Sequence, residues 1–164
     1  MAQRAPSPVH EDDGRSSGIF LRKDRAGHSP SLDEVMARIR IVIPQGVVGV
    51  LLEPSRGRPL RARVTPVAAA PADLGFVLEL RLKAWTSHIA RLCAPSVPEY
   101  LRAWFPFERA FVVPIATQAR RFGVLVVQPG ALNRAALREL EVMADDLAAE
   151  MEGAERASAL PTPA

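Results

Sequence analysis

The sequence predicts an α+β fold: an antiparallel sheet with helices packed against it and a long helix at the C-terminal end. Three observations carry this expectation. Two apolar runs, residues 111–115 (FVVPI) and 122–127 (FGVLVV), flank a short polar connection at 117–121, the pattern of a β-hairpin whose strands face a core. An earlier pair of strand-length runs, 47–52 and 60–64, flanks the turn-forming PSRGRP at 54–59. After the later hairpin, residues 134–156 contain no Pro and a single Gly, Gly153. There Leu137, Leu140, Ala144, Leu147, Met151 and Ala154 recur at alternating spacings of three and four, the rhythm of a helical seam.

The elements follow in order. Residues 1–30 hold Pro, Gly, Ser and scattered charges without periodicity and read as a disordered tail. Its one apolar patch, GIFLR at 18–22, is suited to docking or to a weak edge strand. Ser31 opens a helix, because Glu34 stands three residues on as in a capping box and Leu32, Val35, Met36 and Ile39 follow at helical spacing. Pro44 and Gly46 stop it. The run at 47–52 is nearly all apolar, as in a strand buried on both faces, whereas 60–64 alternates Leu, Arg, Ala, Arg, Val and reads as half-exposed. Residues 66–73 are an Ala- and Pro-rich connection. In 76–82, Leu78, Leu80 and Leu82 share one face of a strand. The period then changes near Lys83, and Trp85, Ile89 and Leu92 fall on a helix ended by Pro95. A further short helix opens at Ser96 and Pro98, clusters Tyr100, Leu101 and Trp104, and ends at Pro106. Asn133 caps the last helix, and residues 158–164 are a tail. One domain is expected at 31–157.

At 164 residues and 48% apolar composition, a single domain with a real core is expected. No run approaches the roughly 20 apolar residues of a membrane span, and residues 1–17 lack a signal-peptide core, so a cytoplasmic location is the expectation. The lone Cys93 has no partner for an internal disulfide. Net charge is +3, and only Lys23 and Lys83 are lysines among 21 basic residues. This Arg-, Ala- and Pro-rich usage points to a GC-rich bacterial genome, and so small a net charge does not imply nucleic-acid binding.

Three passages together resemble the GAF domain, a small-molecule sensor module. VVGVLLEPSRGRPLRARV is similar to the family's first hairpin. AFVVPIATQARRFGVLVV resembles its closing hairpin, in which an apolar strand contains a Pro, here Pro114, and the next begins with Gly and apolar residues, here Gly123. LNRAALRELEVMADDLAAEME resembles its closing helix. The resemblance spans 31–157 and implies a sheet with packed helices and a ligand, where there is one, under the variable middle. The NKFDE signature of cyclic-nucleotide-binding members has no counterpart. Cys93 is followed by Ala94 where bilin-binding members often carry His, and one cysteine is too few for the family's methionine sulfoxide reductases. No ligand class or cofactor is therefore carried over.

Phosphate loops, H-E-x-x-H and Cys-x-x-Cys motifs are absent from the sequence, so no catalytic or metal-binding residue is expected. The run His10, Glu11, Asp12, Asp13 reads as solvated charge in a tail. The ligand-site candidates are Trp85, His88, Cys93, Tyr100 and Trp104; His88 lies one helical turn from Trp85, and a surface or core-edge histidine is the commoner reading of such a residue. Arg56, Arg58, Arg61 and Arg63 make a basic hairpin, suited to phosphates or an acidic partner, or simply a solvated face. The C-terminal seam packs on its own sheet or pairs with a second copy; for the dimer, Leu137, Leu140, Ala144, Leu147 and Met151 are the expected interface. The expectation is a stand-alone, non-catalytic bacterial sensor that binds a small molecule, a signalling partner, or both, as a homodimer. The alternative is a ligand-free scaffold for protein–protein interaction.

Overall fold

A computed structural model describes residues 28–66 and 75–160. Four strands form one antiparallel sheet: β1 (Val48–Leu52), β2 (Arg61–Thr65), β3 (Phe111–Ala116) and β4 (Arg121–Val127). Their order across the sheet is β2-β1-β4-β3. The two hairpins are thus joined edge to edge, with Val50 opposite Leu125 on one side and Arg63 on the other. Being central, β1 is buried at every residue, as its continuous apolar run requires.

Helices cover both faces. Strand alternation sends Val48, Val50, Leu52, Leu125 and Val127 to one side. There they pack with Val35 and Ile39 of α1 (Leu32–Val42) and with Leu140 and Leu147 of α3 (Arg134–Ala159). Leu51, Val124 and Val126 face the other side. They meet Leu78 and Leu82 of α2 (Gly75–Thr86), together with Leu101, Trp104 and Phe105 from the segment that carries a 3-10 turn at Glu99–Leu101. The sequence-expected α+β sandwich of sheet and helices is the fold observed.

Helix starts follow local chemistry. The Ser31 backbone N–H donates to Glu34 Oε2 at 2.7 Å while the Glu34 N–H donates to Ser31 Oγ at 3.2 Å, the reciprocal capping box. Asn133 Oδ1 accepts from the Ala136 N–H at 2.7 Å. Arg38 spans α1 to α3 by a two-pronged pair with Glu150, at 2.8 and 2.9 Å. That hydrogen bond holds the Arg38 pKa above its ordinary value.

Four expectations are corrected. Residues 76–82 are not a strand: α2 runs unbroken from Gly75 to Thr86. Its buried stripe is Leu78, Leu82 and Trp85, at helical spacing, and the Leu80 that completes the apparent alternation is exposed. The expected helix through Leu92 ends instead at Thr86, and the chain turns so that Cys93 bridges Val112 of β3. Finally, α3 extends through Ala159, beyond the boundary expected at 157. Residues 28–30 belong to the domain edge rather than to a tail: Pro30 is buried and the Ser29 carbonyl accepts from Arg58. The remaining N-terminal tail with its GIFLR patch, the connection at 67–73 and the last four residues lie outside the described residues.

Candidate functional site

The expected ligand-site residues do not line one cavity among the described residues. Trp85 and Trp104 are core side chains, 6% and 5% exposed. Trp85 lies 6.4 Å from Phe105, ring centre to ring centre, a packing distance for aromatic pairs. Tyr100 is on the surface, where Arg81 donates to its carbonyl at 3.0 Å and stacks 5.9 Å from the rings of both Tyr100 and Trp104. Cys93 is tied into the bridge with Val112, its N–H 3.2 Å from the Val112 carbonyl. His88 is exposed and lines a different, open groove of about 300 Å³, with Pro114, Thr117 and Arg121.

The space between the sheet and α2 is filled by the chain itself. Phe105 is fully buried and lies so close to Gly49 of β1 that a Cβ there would come within 2.6 Å of its ring. The missing side chain at Gly49 is what admits the ring onto the sheet. Leu101, Leu82 and Val97 complete the packing.

The α3 seam is likewise spent within the chain. Leu140, Ala144, Leu147 and Met151, four of the five residues expected at a dimer interface, are buried against the sheet and α1, and Leu137 is half-buried. The stripe therefore meets its own core, as a closing helix on a sheet should.

A cluster missed in the sequence centres on Arg121. The register of β3 on β4 slips between Ile115 and Ala116, leaving Phe122 as the extra residue of a bulge. Phe122 joins the α3-side core. Arg121 reaches the other way, to the end of α2. It donates to the Ile89 carbonyl at 2.9 Å and Thr86 Oγ1 at 3.1 Å, touches the Thr86 carbonyl, and pairs with Glu53 at 2.8 Å. An Arg opening a strand carries no sequence signal for this; the bulge creates it.

On the α3 side, at the end of the β1–β2 hairpin, lies a cleft of about 110 Å³. Leu52, Phe122 and Met151 form its floor, and Arg56, Arg58, Arg61 and Glu155 its walls. Arg63, the other outward residue of the basic hairpin, leaves the cleft and pairs with Asp33 of α1. Burial, then the charge of Arg58, lowers the Arg61 pKa. The Arg61 Nε and Glu155 Oε1 are buried and have no hydrogen-bond partner among the described residues.

No family model matches the chain, and no curated protein matches it by sequence. Solved structures do. A GAF domain of a two-component sensor histidine kinase from Bacillus halodurans is 20% identical with a TM-score of 0.54, over 78% of this chain and 98% of that one. The second GAF domain of DevS from Mycobacterium smegmatis is 17% identical with a TM-score of 0.52, over 76% and 92%. A GAF domain/HD domain protein from Geobacter sulfurreducens is 14% identical with a TM-score of 0.50, over 75% and 93%. The fold of this chain is GAF-like. No helix among the described residues is long and apolar enough to cross a membrane.

Proposed function

We propose that this chain, GAF-like in fold, is a non-catalytic signalling module that works by protein contact, with no ligand held between its sheet and α2. The observation that carries the reading is the seat of Phe105 on Gly49, which occupies the space where the family resemblance places a ligand. Of the expected site residues, Trp85 and Trp104 serve that same packing. The neighbour from Bacillus halodurans belongs to a sensor histidine kinase, which supports signalling as the setting. The module pairs with a second copy through the outward sides of α1 and α3, since the inward seam is already buried.

Native mass spectrometry of the chain purified from its own host tests the closed face. The expected masses are those of polypeptide assemblies with nothing retained at that face. A small molecule retained by the wild type and by Arg61→Gln, but lost in Trp104→Ala, would place a ligand under the middle segment and overturn the reading.

A further inference from the structure

We infer that the cleft at the end of the β1–β2 hairpin is a binding site for a small carboxylate or phosphate anion that also carries a hydroxyl or ammonium donor. It lies on the α3 side of the sheet, across from the filled face. The argument is one of complementary, unmet chemistry. Arg61 sits half-buried in the cleft wall with its Nε shielded from solvent and unpaired. A buried donor without a partner costs on the order of 1–3 kcal/mol, and an anion toward which the Arg61 side chain turns recovers that cost. Arg58 and Arg56 line the same cleft. Arg58 is held by the Ser29 carbonyl at 3.2 Å, so its cationic head is positioned rather than free to swing away. Cations converging on one site repel each other unless an anion lies between them, and guanidinium groups suit carboxylate and phosphate oxygens.

The second half of the recognition comes from Glu155. Arg120 grips its Oε2 at 2.5 Å and is itself fixed by the Pro54 carbonyl at 3.1 Å and by the Phe122 ring, 5.2 Å away. That leaves Oε1 buried and without a hydrogen-bond partner among the described residues, on a side chain that lines the cleft. It accepts only, so it calls for a donor on the ligand. A plain anion meets the arginines and leaves Oε1 unmet; an anion with a hydroxyl or ammonium group meets both. The floor of Leu52, Phe122 and Met151 takes a short carbon skeleton. Water needs only ~10–15 Å³ of such space, so a cleft of about 110 Å³ has room for a small metabolite.

The test is an NMR titration of the full chain, following backbone amides, with four probes: acetate, glycolate, inorganic phosphate and glycerol 3-phosphate. Saturable shifts are expected at the hairpin end and the last two turns of α3, with the hydroxyl-bearing probe of each pair bound more tightly. The carboxylate and phosphate arms decide which head group is preferred. Arg61→Gln should weaken binding about tenfold, the range of one charge-assisted hydrogen bond. Glu155→Gln should narrow the preference for the hydroxyl-bearing probe while the plain anion still binds. Arg63→Gln, outside the cleft, is the control for general loss of positive charge. The inference is overturned if no probe gives saturable shifts there, or if Arg61→Gln and Arg63→Gln weaken binding equally. Amide dispersion of each variant, recorded in the same spectra, separates loss of a site from loss of the fold. The outcome is independent of the closed α2 face, which these probes do not report on.

Discussion

Arg121 shows how much one side chain can carry in this fold. Its guanidinium answers the Ile89 carbonyl, the Thr86 hydroxyl and the Glu53 carboxylate at once, closing the C-terminal end of α2 where helix carbonyls lack partners. Only 17% of the side chain is exposed, so these groups have little water to turn to. Arg121→Gln is expected to cost about 2–3 kcal/mol, read as a lowered urea midpoint with an unchanged slope. Gly49 and Phe105 make a second residue-scale case. Gly49→Ala puts a methyl group within 2.6 Å of the ring, and overpacking of this kind costs roughly 1–3 kcal/mol. Phe105→Leu should relieve part of that clash. The double variant is therefore expected to be more stable than the sum of the two single losses, and strict additivity in denaturation would refute the direct packing. Neither feature was legible in the sequence. A glycine in an apolar strand does not name the ring that will cover it, and an arginine before FGVLVV looks like an ordinary strand end. Both depend on partners from distant segments.

At the scale of elements, legibility follows whether the signal is local. The capping box at Ser31 and Glu34 and the Asn133 cap are written within four residues, and both are formed. The two hairpins are written in runs of apolar residues bounded by turn formers, and both are formed. The element misread was α2. Leu78, Leu80 and Leu82 alternate by coincidence, and only the sheet decides that Leu78 and Leu82 face inward while Leu80 remains 49% exposed. The seam of α3 was readable as a stripe but not as to what it meets, because a three-four rhythm serves a sheet as well as a second helix. Burial settles which residues answer to the core. Leu147→Ala is expected to cost about 2–5 kcal/mol, whereas Val142→Ala, on the 61% exposed outer side, should fall within about 0.5 kcal/mol of wild type. Thermal unfolding of the two variants side by side checks this. A large loss at Val142 with a small one at Leu147 would mean the helix is turned the other way.

At the scale of the whole molecule, the sheet is covered on both faces, which among the described residues leaves the outer sides of helices and the sheet edges for contact with another protein. On the two helices of the α3 face, Ile41 is 83% exposed and Val142 61% exposed, and these are the apolar groups a second copy could cover. Burying apolar surface of this kind contributes about 25 cal/mol per Å² before the cost of association, so two side chains alone do not hold a dimer; they can only mark where one is centred. This limits what a substitution should do. Ile41→Glu combined with Val142→Glu places two charges at that centre. It is expected to shift the chain from dimer to monomer in sedimentation at tens of micromolar, with a thermal midpoint that no longer rises with protein concentration. A wild type that is strictly monomeric under those conditions removes the pairing outright. A variant that stays dimeric moves the interface off this face, to the α2 side or to the edge strands β2 and β3, where backbone groups unpaired within the sheet offer the other route to association.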